Sequence, residues 1–365
     1  MNMPDEVANL QETGARPVLR LAERLGENWL HLQQAAKMAY DARERYRKQW
    51  EEFTGEDRSV VVFGSLARGE LTEDSDTDWT LLVDGRVDPT HLEAALKIRE
   101  NVKKAPGREG VFGSLAFSHD IVHCIGGGDD SNSNTTRRIL LLLESVAIGN
   151  DQAWSNVRRN ILHRYLSEDM GLWQDSNQRG VPLFLLNDIS RYWRTMTVDF
   201  AYKQRTRNYD GYALKSLKLG FSRKLIYLSG VLACLRCEIE FPSKELFTEG
   251  NPQAAIHHLE KLFAMTPLEM FADSLLNERC YGMEQRSRVP EAARRAFEAY
   301  DAFIAMLADG NTREHLEKLD RNELESDKMY RDARLIRHKF SEATKDLFLR
   351  IESPMQQQII ERGVM

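Results

Sequence analysis

The sequence predicts an α+β protein: an N-terminal helix, a small mixed-sheet domain and a large C-terminal all-helical domain. Three observations predict it. Short apolar and β-branched runs lie early in the chain, at 59–63 and 78–83. Apolar residues recur at three- and four-residue spacing over 17–39, and again from about residue 155 to the end. Pro242, Pro252, Pro267 and Pro290 punctuate that last stretch, where breaks between helices are expected. With 365 residues, 42% of them hydrophobic, the chain is long enough for two or three cores. The expected boundaries are 1–57, 58–155 and 156–365.

Residues 1–15 read as a mobile start. From Pro17, the residues Val18, Leu21, Leu25, Trp29, Leu32, Ala36 and Ala39 make one apolar stripe, so one long helix is expected to pack on the sheet domain or to dimerise. The run Ser-Val-Val-Val-Phe at 59–63, closed by Gly64, reads as a buried strand. Gly64 and Ser65 permit a tight turn into a helix whose first N–H groups would face an anion. A second apolar strand starts at Asp78. Asp76 and Asp78 are two residues apart, so along a strand their side chains share a face. Adjacent like charges repel unless a cation separates them, and hard oxygen ligands suit Mg²⁺ or Mn²⁺ completed by water and phosphate oxygens.

Gly64-Ser65-x-x-Arg68-Gly69-Glu70 followed by Ser75-Asp76-x-Asp78 resembles the signature of the polymerase-β-like nucleotidyltransferase superfamily. The resemblance covers about residues 58–165. In motif it is closest to the catalytic domains of glutamine-synthetase adenylyltransferases and signal-protein uridylyltransferases, whose strand-Asp-glycine loop is similar to 117–128 and whose following helix is similar to 138–154. It implies a nucleotidyltransferase palm with a third carboxylate on a later strand, for which Asp120 is the candidate; Asp129 and Asp130 are weaker ones, lying in the glycine-rich loop 126–134 that is itself a candidate gate. On this resemblance Asp76, Asp78 and Asp120 hold two Mg²⁺ (or Mn²⁺) ions, and Asp120 assists as general base. Gly64 and Ser65 cradle the leaving pyrophosphate, and Arg68 neutralises part of its charge. A nucleoside monophosphate then passes from an NTP or dNTP to a hydroxyl acceptor.

Beyond residue 165 no family is recognised. A basic cluster stands out there: Arg191, Arg194, Lys203, Arg205, Arg207, Lys215, Lys218, Arg223 and Lys224, interrupted only by Asp199 and Asp210. Closing over the sheet, Lys215, Lys218, Arg223 and Lys224 would hold the triphosphate, and Tyr192 or Trp193 would stack on a base. The alternative is a solvated face with buried aromatics. The charged helix at 325–349 reads as a solvated outer helix.

A net charge of −6 argues against a constitutive coat of nucleic acid or anionic membrane. No apolar run reaches the ~20 residues a membrane span needs, and no signal-peptide pattern opens the chain. The four cysteines form no disulfide framework and fit a reducing cytoplasm; Cys234 and Cys237 look like packing residues on a helix rather than a zinc pair. Ser65 lacks assembled His and Asp partners for hydrolase chemistry. Arg158 and His163 only superficially match a ribonuclease spacing. Several acceptors stay open: an oligonucleotide end, as in stand-alone enzymes that make nucleotide signals in bacterial anti-phage defence; a protein hydroxyl; or a small molecule. A non-catalytic nucleotide-binding scaffold is the reading of a different class.

Overall fold

The computed structural model describes residues 16–102, 104–106, 111–169, 172, 180–206, 209–241, 246 and 252–363. The expectations for residues 1–15, Arg207 and Pro242 lie outside them. The N-terminal stripe forms two helices instead of one, α1 (Pro17–Leu25) and α2 (Leu30–Trp50). Gly26 ends the first with φ +69, a left-handed conformation that glycine adopts without a Cβ penalty. The pair packs on the helical region as well as on the sheet: Trp29 stacks on Phe297 with ring centroids 4.5 Å apart.

Four strands build the sheet: β1 (Arg58–Val62), β2 (Trp79–Val83), β3 (Ser114–Phe117) and β4 (Val146–Ile148), in the order β3-β2-β1-β4. β1 is antiparallel to both β2 and β4, whereas β3 runs parallel to β2. Side chains alternate faces along β1. Val60 and Val62 join Trp79, Leu81 and Ile148 in a core closed by α2 and by α4 (Pro89–Asn101). Val61, Phe63 and Leu82 enter a second, larger core that runs without interruption through the helical region. Burial on both faces explains why the strand is a continuous valine run rather than an alternating one.

Three short elements link the strands: α3 (Gly64–Arg68), α5 (Ser118–Val122) and α6 (Asn132–Leu143). Thereafter the chain is helical, beginning with α7 (Gln152–Glu168), α8 (Leu183–Thr206) and α9 (Tyr212–Lys218). A π-helical turn, Leu219–Arg223, joins α9 to α10 (Lys224–Glu240). There follow α11 (Gln253–Phe263), α12 (Pro267–Leu276), α13 (Gly282–Ala308), α14 (Gly310–Lys318) and α15 (Lys328–Lys345). Pro267 opens its helix behind a Thr266–Glu269 capping box, as a helix-starting proline should. Pro290, expected at a break, instead lies inside α13. The expected outer helix, α15, is only half solvated, because Tyr330, Ala333 and Phe340 bury one stripe of it. Among the described residues no helix is long and apolar enough to cross a membrane.

The glycine-rich loop after α5 is tied down at its end. Asp130 accepts two hydrogen bonds from the fully buried Arg138, at 3.1 and 2.8 Å, and one from Arg191 at 3.1 Å. Asp130 is therefore spoken for as a structural ion-pair partner. Arg158 is likewise buried, donating to the backbone carbonyls of Leu142 and Phe263.

Candidate active site

Hydrogen bonding brings the two halves of the motif together. β1 ends beside the start of β2, where the Phe63 N–H donates to the Asp78 carbonyl at 2.9 Å. Gly64 follows with φ +65, and a Cβ there would stand 2.6 Å from Asp78 Oδ2. Glycine is required twice over, by the backbone angle and by the carboxylate that fills the space. Asp76 is about half exposed and pairs with Lys104 at 3.1 Å, while Asp78 is more enclosed. Among the described residues nothing hydrogen-bonds the Asp78 carboxylate. Burial pushes it up to about 6, and the Glu144 and Asp76 carboxylates add to the rise.

Glu144 is the carboxylate that sequence reasoning missed. β4 pairs Val146 with Val62, so the antiparallel register sets Glu144 level with Gly64, on the far side from Asp78. Its signal was a lone acid ending the apolar run Ile139–Leu143 just before a strand. Its carboxylate forms an ion pair with Arg68.

Arg68 differs from its expected role. Its Nε donates to Glu70 at 2.9 Å and its Nη1 to Glu144. Burial by itself would lower its basicity, but Glu70 and Glu144 outweigh that and hold it above the ordinary arginine value. Glu70 in turn accepts from Ser222 Oγ at 2.9 Å and from the Tyr300 hydroxyl at 2.6 Å. The Arg-Gly-Glu half of the motif thus joins sheet to helices, with the Arg68 guanidinium held between Glu70 and Glu144.

The π-helical turn explains which cations reach the site. A π turn takes in an extra residue, re-aiming the side chains on it, and such turns recur at functional sites. Lys218 at its entry and Arg223 at its end approach the carboxylates, while Ser222 meets Glu70. Neither Lys218 nor Arg223 makes a hydrogen bond or ion pair among the described residues. Burial brings the Lys218 ammonium down to about 8, with Arg313 and Arg223 lowering it further and Asp76 opposing them.

The other expected contacts lie elsewhere. Lys215 folds back to the Asp210 carbonyl at 2.7 Å, and Lys224 reaches Ser341 at 3.2 Å on α15. Tyr192 is a core residue, its ring buried and its hydroxyl on Met196 sulfur. One position on, a 100° turn of the helix leaves Trp193 half exposed, stacked on Tyr227 at 5.4 Å. Asp120 was expected on a strand, but β3 stops at Phe117 and Asp120 sits exposed on α5. The register sets Phe117 beside Val83, five residues beyond Asp78 and so about 16 Å along the strand at ~3.3 Å per residue. The apparent strand pattern continues past Phe117 as a helix because Ile121 and Val122 face the core while His119 and His123, one turn apart, lie side by side outside. Among the described residues no group of three or more His, Cys, Asp or Glu is arranged to hold a metal.

Residues 43–110 match the nucleotidyltransferase domain family. The matched stretch holds the Gly-Ser turn and both aspartates and supports nucleotidyl transfer as the general activity. No curated protein and no solved structure matches the chain.

The donor set also fits a divalent cation. Asp76 and Asp78 offer hard oxygens with an open face, and Mg²⁺ is commonly held by one or two carboxylates plus substrate phosphates.

Proposed function

We propose that the protein transfers a nucleoside monophosphate from an NTP or dNTP to a hydroxyl acceptor, releasing pyrophosphate. One observation carries this reading: two cations that make no hydrogen bond or ion pair among the described residues, Lys218 and Arg223, stand close to the site carboxylates, of which Asp78 is likewise unpaired and Asp76 meets only Lys104 at the surface. Folded structures seldom leave half-buried charges unpaired. A metal-bound triphosphate would satisfy all four.

In this reading Asp76 and Asp78 hold Mg²⁺ or Mn²⁺, which neutralises charge on the phosphates and lowers the pKa of the acceptor hydroxyl. Gly64 lets the turn close against Asp78, Ser65 beside it meets a phosphate, and Lys218 and Arg223 take the charge of the leaving pyrophosphate. Asp120 has no part, because its place is the other end of the sheet. A second ion would draw its remaining ligands from the substrates.

For the acceptor we favour an oligonucleotide end over a protein hydroxyl. Beyond Trp193, α8 exposes Arg194, Val198, Tyr202 and Arg205 on one stripe, and neither arginine has a side-chain partner among the described residues. Two cations flanking an exposed ring suit a single strand. A short oligonucleotide is also the form that a nucleotide signal in anti-phage defence would take.

The test is incubation of the protein with each labelled NTP and dNTP, with Mg²⁺ or Mn²⁺, beside Asp76→Asn/Asp78→Asn. A nuclease-sensitive ladder is expected from the wild type alone. A single protease-sensitive band would shift the acceptor to protein. Equal pyrophosphate release by the double mutant would reject the site.

A further inference from the structure

The eight residues from Leu71 to Asp78 carry Asp76 into place without any regular structure of their own. Within the loop, the Thr72 N–H donates to Ser75 Oγ at 3.1 Å. At its rim, Tyr46 meets Thr77 Oγ1 at 3.1 Å and Lys104 donates to the Asp74 carbonyl at 2.8 Å. The Thr77 N–H also donates to the Lys104 carbonyl at 3.0 Å, and Lys104 pairs with Asp76; a further tie comes from far away in the chain. Arg313, on α14, donates from Nη1 to Thr72 Oγ1 at 2.9 Å and from Nη2 to the Asp74 carbonyl at 2.6 Å.

Arg313 is 5% exposed and has no carboxylate within ion-pairing distance among the described residues. Burying a guanidinium on neutral acceptors alone is costly, so a compensating field must stand nearby. The loop it grips carries the acidic Asp74 and Asp76, which oppose the repulsion from the nearby Lys218 ammonium. Its planar fork meets two acceptors at once, which a lysine cannot copy.

We propose that Arg313 is a positioning residue: gripping the loop at Thr72 and Asp74, it sets Asp76 and Asp78 for the metal–nucleotide complex. This rests on the functional reading above. The C-terminal helices are then part of the metal site as well as its cover. Supporting groups of this kind typically change metal affinity or activity by about 10–100-fold when removed.

The experiment compares full-length wild type, Arg313→Met, Arg313→Lys and Thr72→Val. Mg²⁺ dependence of pyrophosphate release, KM for the nucleotide, melting temperature and hydrogen exchange of the 71–78 amides are all measured. The Mg²⁺ concentration for half-activity is expected to rise about 10-fold or more in Arg313→Met, with nucleotide KM moving less and the 71–78 amides exchanging faster. Arg313→Lys should recover only part of the loss. A folded Arg313→Met with Mg²⁺ dependence and exchange like the wild type would overturn the proposal. If Arg313→Met does not fold, Thr72→Val decides: an unchanged Mg²⁺ dependence refutes, a weakened one supports. Should the wild type release no pyrophosphate from any nucleotide, the functional reading falls, while unaltered or faster exchange at 71–78 still refutes or supports the grip of Arg313 on the loop.

Discussion

Two clusters of charge sit in this molecule, and they differ in how far they are balanced. Around Arg138 every guanidinium proton finds an acceptor: Tyr165 Oη at 2.6 Å, the Ile121 carbonyl at 3.2 Å, both Asp130 oxygens, and Asp188 Oδ2 at 2.8 Å. Tyr165 then donates to Asp188 at 2.5 Å. Around Asp78 the opposite holds: burial raises the carboxylate, and the nearby Lys218 and Arg223 make no hydrogen bond or ion pair among the described residues. The first cluster is complete and ties loop to helix. The second is, in the function proposed above, the one a metal triphosphate would complete, with its phosphates on Lys218 and Arg223 and its cation on Asp76 and Asp78.

The widest separation between the clusters should appear on removing one acid or one base from each. Asp78→Asn is expected to cut pyrophosphate release on the order of 10³-fold, since the groups that steady charge in the transition state are the costliest to lose. Its melting temperature should hold or rise, because a repulsion with Asp76 and Glu144 disappears. Arg138→Met should do the reverse. Asp130 and Asp188 would lose their buried partner and keep only Arg191, at a cost of about 3 kcal/mol, read as a lower unfolding midpoint in urea. Activity per folded molecule should change little. If Asp78→Asn instead unfolds the protein, the incomplete cluster is structural after all.

A smaller effect sharpens the same contrast. Lys218→Met should raise nucleotide KM by about 10–100-fold, the worth of a hydrogen bond to a charged group at ~1.5–3 kcal/mol. Stability should not fall, because the side chain removed is buried among Arg68, Arg223 and Arg313, whose repulsion opposes the attraction of Asp76 and Asp78. A loss of stability with unchanged KM would make Lys218 a structural cation.

Much of this was legible in the residues, and what was not has a physical reason. The strands, the turn at Gly64 and the closeness of Asp76 and Asp78 depend on neighbours a few residues apart, so β-branched runs and a glycine suffice to read them. Asp120 failed because a five-residue helix and a strand end carry the same mixed pattern, and only the register with Val83 shows that the chain has run past the site. Tyr192 and Trp193 differ by one helical step, which decides burial but leaves no local mark. Glu144 and Arg313 reach the site through strand pairing and through helix packing across 239 and 241 residues, beyond any spacing rule. The π turn was marked only by Gly220 within a helical run. A Cβ there would come within 2.4 Å of Arg337, so glycine lets that part of the chain lie against α15.

Proton competition gives a finer probe than substitution. Asp78 must be ionised to hold a cation, and its acid form persists up to about 6, so kcat/KM should rise with pH through that value at low Mg²⁺. More Mg²⁺ should move this limb to lower pH, because metal and proton compete for one carboxylate. Lys218 must be charged to hold phosphate, so the alkaline limb should fall through about 8. Lys218→Arg should abolish that fall, since a guanidinium stays charged. Asp120→Asn marks the smallest expected change: with its carboxylate exposed beyond the far end of β3, turnover and both limbs should stay within about twofold of wild type, the scale of surface substitutions. A loss comparable with that of Asp78→Asn would mean that the sheet end bearing Asp120 joins the site when substrate binds, and the line drawn between complete and incomplete clusters would have to be redrawn around three carboxylates.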